Sequence, residues 1–544
     1  MQISETLFAQ FFKFLHLKIT ARTAFFLLIV CGILIFQDYG IGWDEPSQID
    51  MAKRSYDYAF HNDTSFLHFK YRDYGMAFDM PLYVVQQFLP GLKEQYTFKH
   101  LMVHLFFLLA VYCFYKINSE LFKSNAIAFL GCTLLILSPR IYADSFHNSK
   151  DLAFLSAFII GFYTYLRFFK NYKYSALLLH GILCAFMVNI RILGLLLVVA
   201  TLVNLLFDTA SGRINFKQFL KYAFVFSITF CFALILSWPY LWANPIRNFI
   251  SVISHMKHYD YYANMIYRGN KIRSSELPWH YLFTWIGITT PVLYLIAFLT
   301  GSSILFIKLI SRFKLILLNP ELRHLYVVIF LAFLPVISVI LSHSILYDAW
   351  RHLFFIYPFM LIVGVYGFIE TFRWLNAKTN HLILHCFYIL ISCNLAYIGF
   401  QIIYYHPHQN TYFNHLVSHK KNSIRHHYEM DYWGLSYKQG LKFLVKEKHP
   451  KSTDTLNILV DNEPGSINLD AIDKADKGRI KLVNTVAEAD YYLTNYRRKN
   501  FDIVEFPERY KDSFDTKIPK EIYAIIVHNS SIMSVFAVKN RVKK

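Results

Sequence analysis

The feature that most constrains the fold of this sequence is a succession of long apolar runs with almost no charge at their centres. A helix needs about 20 apolar residues to cross the core of a bilayer. We predict eleven spans, near 22–37, 98–116, 124–138, 152–169, 174–190, 192–208, 219–240, 281–309, 324–343, 351–371 and 381–405. Only 17% of the residues are charged, against about a quarter in soluble domains. The chain is therefore predicted to be a mainly α-helical, polytopic membrane protein.

Basic residues between the spans predict the orientation. If the N-terminus lies inside, every inner loop carries Lys or Arg, as the positive-inside rule requires. Eleven spans then place the C-terminus outside. The net charge of +19 fits these basic loops. Because no zinc-finger spacing or basic-aromatic module accompanies it, no nucleic-acid partner is predicted.

Two outer loops are long, at about 38–97 and 241–280. The first contains the amphipathic stretches 47–60 and 76–89. Amphipathic segments of this kind lie in the membrane interface with one face in the headgroups. We therefore predict amphipathic outer-loop helices on the membrane surface.

The tail changes character at about residue 436, where charged residues become frequent. Short β-type runs predict strands at 455–460, 480–484 and 490–494, followed by a hairpin that turns at Asn529-Ser530. We predict two domains, a transmembrane domain over 1–435 and a small, extracytoplasmic α/β domain over 436–544.

Polar residues gather at the predicted outer ends of five separate segments. They are Asp44 and Glu45; Arg140, Asp144, His147, Lys150 and Asp151; Arg191; Tyr347, Asp348, Arg351 and His352; and His406, His408 and Asn410. Carboxylates can take a proton from an attacking hydroxyl, and basic side chains can hold a phosphate. The pattern predicts one site facing the outer leaflet, suited to glycosyl transfer from a polyprenyl-phosphate sugar.

Each of these groups also has a simpler interpretation. Asp44 and Glu45 can cap the helix that Pro46 begins. Asp151 can be an ordinary carboxylate at a helix N-terminus. Arg351 and His352 can anchor a helix at the interface, and His406 can be a surface histidine.

Several motifs resemble the membrane-embedded GT-C glycosyltransferases, in particular a bacterial subgroup of the protein O-mannosyltransferase and aminoarabinose-transferase branch. The resemblance covers about 1–435. It rests on the acidic pair in the first outer loop, on "SKDLAF" opening a helix and on the late "YDAWRHLFFIYP". It also includes "ELPWHYLFTWIGITTP" and "HPHQNTYFNH". It implies an active site on the periplasmic face of a bacterial inner membrane.

The resemblance also implies roles for individual residues. The general base of the family maps to Asp44, with Glu45 as neighbour or substitute, and a second acidic residue matches Asp151. Phosphate contacts map to Arg351, Arg191, Arg140 and Lys150, with His352 and Tyr347 beside them. Asp144, His147 and His406 are possible substrate contacts.

The resemblance further implies an inverting transfer to a lipid, glycan or protein acceptor. A divalent metal is possible, although no Asp-x-Asp pair follows the third span. Two other functions remain open on the sequence alone. One is a transporter or flippase for lipid-linked saccharides, and the other is a polymerase or ligase of surface polysaccharide.

Overall fold

The computed structural model describes residues 18–257, 263–378, 381–450, 454–497 and 520–538. Most of this part is helical, as predicted. The helices up to residue 257 are α1 Lys18–Ile35, α2 Glu45–His61, α3 Asp79–Gln86, α4 Leu92–Phe122, α5 Asn125–Ile136, α6 Pro139–His147, α7 Asp151–Asn171, α8 Tyr174–Ile190, α9 Leu195–Ala210, α10 Phe216–Ser237, α11 Tyr240–Ala243 and α12 Pro245–Lys257. The later long helices are α13 Tyr281–Thr289, α14 Val292–Leu318, α15 Pro320–Leu341, α16 Tyr357–Lys378 and α17 His381–Tyr404.

Every predicted span contains helix, but not every helix has the length of a span. Within the described residues, eight helices are long and apolar enough to cross a membrane, and the bent pair α5 and α6 is a ninth candidate. The apolar helices Ala21–Ile35 and Tyr174–Ile190 are shorter. Because a helix rises about 1.5 Å per residue, the 17 residues of α8 extend for only about 25 Å. The count of eleven spans and the orientation stay predictions.

Two prolines separate neighbouring helices, Pro139 directly after the predicted span 124–138 and Pro291 inside the predicted span 281–309. The third run bends by 68° between α5 and α6, so Arg140 and its neighbours lie on a helix and not in a loop. Ser138 is extended because it precedes Pro139. In the same way Thr290 is extended before Pro291, which separates α13 from α14.

The first of the two loops predicted to lie outside contains the expected helices, because α2 and α3 correspond to its two amphipathic stretches. The second loop was expected to be helical and is so only in part. After α12, strands β1 Asn264–Tyr267 and β2 Asn270–Arg273 form an antiparallel pair. Residues 258–262, between these elements, lie outside the described residues.

The tail forms a five-stranded mixed sheet of strands β3 Leu456–Val460, β4 Ile480–Leu482, β5 Tyr491–Thr494, β6 Lys520–Val527 and β7 Ser530–Ala537, in the order β4-β3-β5-β7-β6. Strand β3 pairs in parallel with both β4 and β5. The predicted hairpin is present, but its turn lies one residue earlier, at His528-Asn529. Both residues have positive φ, the conformation that a two-residue hairpin turn requires.

The tail packs against the first outer loop. The Asn468 side chain accepts from the N–H of Ile41 at 2.9 Å and donates to its carbonyl at 3.0 Å. Lys438 donates to the carbonyl of Tyr39 at 2.9 Å. These contacts fix the backbone immediately before Asp44. Whether 436–544 is an independent domain stays a prediction.

Helices α7 and α16 form the centre of the bundle and are almost entirely buried. Aromatic rings join them, with Phe162 and Phe359 packed at 5.3 Å between centroids. Helix α7 begins at Asp151, and α16 follows a 3₁₀ turn that begins at Arg351. The N-termini of both central helices therefore meet at one end of the bundle, where partial positive charge accumulates.

Candidate functional site

A cavity of about 220 Å³ opens at the end of the bundle where α7 and the Arg351 turn begin. The predicted site residues that line it are Asp44, Lys150, Arg191, Tyr347, Arg351 and His352. They come from four of the five polar segments identified in the sequence. Asp44 and Arg351, which are 307 positions apart in the sequence, thus line the same cavity.

The two adjacent carboxylates of the first loop have different surroundings. Asp44 precedes α2 but makes no capping hydrogen bond, and 40% of its side chain is exposed. Glu45 is buried, accepts from the N–H of Gly42 at 2.7 Å and lies 3.1 Å from His100 Nε2. Glu45 therefore makes the local structural contacts, and Asp44 is left to face the cavity.

Arg351 connects three carboxylates. Its Nη1 lies 3.1 Å from Asp44 Oδ2 and 3.2 Å from Asp151 Oδ2, and its Nη2 lies 3.3 Å from Asp348 Oδ2. The guanidinium also stacks 4.7 Å from the centroid of the Trp433 ring. Its Nε–H is buried and finds no acceptor within the described part of the chain. Arg351 is thus fixed at the cavity wall with one donor unused.

Asp151 lies behind the cavity and does not line it. Its carboxylate accepts from the Arg191 and Arg351 guanidinium groups and from Asn148 Nδ2 at 3.1 Å. The side chain is almost completely buried. Asp151 therefore holds the two arginines in place and is not accessible to a substrate.

Lys150 and Arg191 supply further positive charge to the wall. Lys150 Nζ lies 3.6 Å from the centroid of the Tyr74 ring and, among the described residues, makes no ion pair. Burial, together with the nearby Arg191 guanidinium, lowers the pKa of Lys150 to about 7. A bound anion would favour the protonated form of this amine.

Part of the cavity wall is apolar, where Ile192, Leu193, Val339 and Leu346 line it. Asp73, Asn189 and Ser344 add polar groups, and Asp73 Oδ2 lies 2.5 Å from His255 Nδ1. A phosphate carrying a hydrocarbon chain would therefore find suitable surroundings for both of its parts.

Six of the twelve residues with a predicted role do not line this cavity, and Asp151 is one of them. Glu45 is described above. Arg140 donates to the carbonyl of Tyr412 at 2.9 Å and lies over the Phe413 ring. Asp144 contacts Asn148 and His147. His147 packs edge-on against Trp433, which also touches Arg351. His406 pairs with Asp38 at 2.8 Å.

The structure brings two further residues to the site, Asp348, which the sequence already grouped with Arg351, and Arg497, which was not predicted. Asp348 lies in the same motif as Arg351 and bonds it. Arg497, from the tail, bonds Asp348 at 2.8 Å. Nothing in the local sequence around Arg497 distinguishes it from the other basic residues of the tail, so only the folded chain reveals this contact.

A divalent metal is not favoured by this arrangement. The carboxylates of Asp44, Asp151 and Asp348 all face guanidinium groups. Over residues 18–257, 263–378, 381–450, 454–497 and 520–538, no group of three or more His, Cys, Asp or Glu side chains is placed to hold a metal ion. The residues at the cavity therefore do not fit such an ion.

Comparison with known proteins gives one finding for the family. The sequence model of the dolichyl-phosphate-mannose-protein mannosyltransferase family matches residues 97–238. A search of curated proteins finds no match to this chain. The matched region carries Lys150, Asp151 and Arg191, whereas Asp44 and Arg351 lie outside it. Together with the apolar helices, the match indicates an integral membrane protein of glycosyltransferase type.

Proposed function

We propose that this chain transfers a sugar from a polyprenyl-phosphate donor to an acceptor at the extracytoplasmic face of a bacterial inner membrane. One observation carries the proposal. The partly exposed carboxylate of Asp44 faces the same cavity as Arg191, Arg351 and Lys150. A proton acceptor and a phosphate-binding wall are thus within reach of one small substrate head group.

In the proposed reaction, an acceptor hydroxyl attacks the anomeric carbon of the donor. The new carbon–oxygen bond forms as the bond between that carbon and the phosphate oxygen breaks. Asp44 takes the hydroxyl proton, and the electron pair of the broken bond leaves with the polyprenyl phosphate. Because attack and departure occur on opposite sides of the carbon, the anomeric configuration inverts.

Arg351, Arg191 and Lys150 hold the phosphate in this proposal. The positive ends of two buried helices add to their charge. Phosphate binding also changes the surroundings of Asp44, because Arg351 is its ion-pair partner before the donor arrives. The buried Nε–H of Arg351, which has no acceptor among the described residues, is available to the phosphate, whose charge offsets part of the positive charge that Asp44 faces.

The apolar wall formed by Leu193, Val339 and Leu346 receives the start of the polyprenyl chain. A cavity of about 220 Å³ has room for a head group only, so the rest of the lipid must leave between helices. The name of the matched family describes a lipid-phosphate-linked mannose donor and a protein acceptor. Mannose and protein are accordingly the first donor sugar and acceptor to test.

The test begins with purified full-length protein and mass spectrometry of its bound lipids. The donor found there is then offered with candidate acceptors, and formation of the glycosylated acceptor is measured. The proposal requires a polyprenyl-phosphate monosaccharide whose sugar is transferred with inversion.

The same purified protein distinguishes transfer from transport. In sealed vesicles, a transporter or flippase moves an intact lipid-linked saccharide across the bilayer without breaking the sugar–phosphate bond. Movement of the intact donor, with no transfer to any acceptor, would replace the proposed function with that alternative.

A further inference from the structure

A single arginine of the tail contacts the two segments that carry Asp44 and Arg351. Arg497 follows strand β5 and bonds Asp348 Oδ1 at 2.8 Å. Its guanidinium also donates to the carbonyl of Tyr432 and lies 4.4 Å from the centroid of the Trp43 ring. The side chain is only 17% exposed.

Each of these contacts leads to a residue of the proposed reaction. Asp348 uses its other oxygen to bond Arg351 at 3.3 Å. Trp43 is adjacent to Asp44 in the chain, and its Nε1 donates to Glu463 of the tail at 3.0 Å. Arg497 therefore lies one residue from the proposed base on one side and one ion pair from the phosphate-binding arginine on the other.

The backbone at Asp348 and Ala349 has a conformation that side-chain contacts must stabilise. Asp348 and Ala349 both have positive φ, at 56° and 65°, a conformation that costs free energy for residues other than glycine. Conformations of this kind persist when surrounding contacts hold them in place. The two ion pairs of Asp348, with Arg351 and Arg497, are contacts of this kind.

The ion pairs around Arg351 join equal numbers of carboxylates and guanidiniums, beside the Lys150 amine. Three carboxylates, Asp44, Asp151 and Asp348, face three guanidiniums, those of Arg191, Arg351 and Arg497. Loss of Arg497 leaves one more carboxylate than guanidiniums in these ion pairs and frees Asp348 to draw Arg351 away from the cavity. Both effects disfavour a bound phosphate.

We propose that Arg497 is a positioning residue through which the tail sets the phosphate affinity of the cavity. This inference deepens the proposed function and depends on it. Arg497 acts through Asp348 on Arg351 and, through the Trp43 ring, on the segment that carries Asp44. The tail therefore contributes to phosphate binding in the cavity.

Binding of farnesyl phosphate to the purified full-length protein tests this inference. Arg497→Ala should weaken binding about tenfold, and Arg497→Lys, which keeps the charge, should restore most of the affinity. The double variant Arg497→Ala/Asp348→Asn restores equal numbers of carboxylates and guanidiniums and should bind better than Arg497→Ala alone. A merely structural loss predicts the reverse, because the second substitution removes another contact.

Arg479→Ala is the matched control. Arg479 is also a partly buried arginine of the tail, but it donates to the carbonyls of Val445 and His449 within the tail itself. Its loss should lower the thermal stability and leave farnesyl phosphate affinity unchanged. An equal loss of affinity in Arg479→Ala and Arg497→Ala would overturn the inference, as would wild-type affinity in Arg497→Ala.

Hydrogen–deuterium exchange separates failure of this inference from failure of the proposed function. If wild-type protein does not bind farnesyl phosphate, the proposed donor class is wrong. Hydrogen–deuterium exchange of residues 344–353 then tests, without any ligand, whether Arg497 is coupled to the segment that carries Asp348 and Arg351. Faster exchange there in Arg497→Ala, but not in Arg479→Ala, supports the coupling, and unchanged exchange in Arg497→Ala overturns it.

Discussion

The two ends of helix α7 carry buried charge clusters that differ in accessibility. At its start, Asp151 belongs to the cluster that lines the 220 Å³ cavity. At its end, about 30 Å away, the Tyr172 hydroxyl donates to Asp208. Asp208 also accepts from the Arg323 guanidinium and lies 3.5 Å from Arg213. Its side chain is completely buried.

The difference shows that charge at a helix end does not by itself identify a site. Asp208 is closed off by its partners, so this cluster joins α9 to α15. The neighbouring cavity, of about 360 Å³, is the larger of the two. Its rim consists of ordinary ion pairs such as Lys170 with Glu120 at 2.7 Å. Of the two clusters, only the one around Arg351 combines a partly exposed carboxylate with an amine, that of Lys150, that makes no ion pair with the described residues.

The largest expected difference between the two ends is catalytic. Asp44→Asn should lower the rate of transfer about a thousandfold, because it removes the proton acceptor. Folding should persist, since the carboxylate is 40% exposed and pairs only with Arg351 among the described residues. Transfer to the identified acceptor and thermal unfolding are the measurements.

Asp208→Asn is the counterpart of Asp44→Asn at the other end of α7. It should reduce stability and leave the transfer rate of the remaining folded protein unchanged. Normal turnover in Asp44→Asn would remove Asp44 from the proposed role.

Arg323→Gln should cost about 3–5 kcal/mol of stability, because it leaves the buried Asp208 without its main partner. The affinity for farnesyl phosphate should not change. Arg351→Gln should instead cause a large loss of affinity for farnesyl phosphate. Equal effects of both variants on phosphate binding would mean that the clusters are not functionally distinct.

Lys150 predicts a pH dependence confined to the cavity end. With a pKa of about 7, the amine loses its proton as the pH rises through neutrality, and phosphate affinity should fall there. In Lys150→Arg the side chain stays charged, so the affinity should not fall for this reason. Any pH dependence that comes from titration of the phosphate ligand should remain. Binding measured from about pH 6 to about pH 9 checks this. The same profile in both proteins would contradict it.

The same pKa makes a prediction for stability with a defined sign. Between the folded pKa of about 7 and the ordinary lysine pKa of 10.5, the unfolded chain holds a proton that the folded chain lacks. The contribution of Lys150 to the free energy of unfolding should therefore rise with pH over that window. Lys150→Met should remove this contribution, as measured by denaturant unfolding.

The smallest effect is expected at the rim of the larger cavity. Lys170→Ala removes an ion pair in which 55% of the lysine side chain is exposed. Such pairs contribute about 1 kcal/mol or less. Thermal unfolding should shift little and farnesyl phosphate affinity should not change, so a marked loss of affinity would give this end a role in binding.

Local patterns predicted much of this architecture. Apolar runs identified the helices, alternation identified the strands of the tail, and paired amphipathic stretches identified α2 and α3. Each of these depends on neighbours within a few turns of chain. The errors fell where one residue changes the local geometry, as at Pro139, at Pro291 and at the His528-Asn529 turn.

By itself, the sequence determined the helical membrane fold and the residue types from which a phosphate-binding site is made. Periodicity and charge are local properties, so they can be read without knowing which segments meet. Tertiary structure alone decided that Asp44 faces the cavity while Glu45 turns inward, and that Arg497 reaches Asp348 across 149 positions. Such choices depend on which distant groups share a buried space, where an unpaired charge is costly and a paired one is fixed.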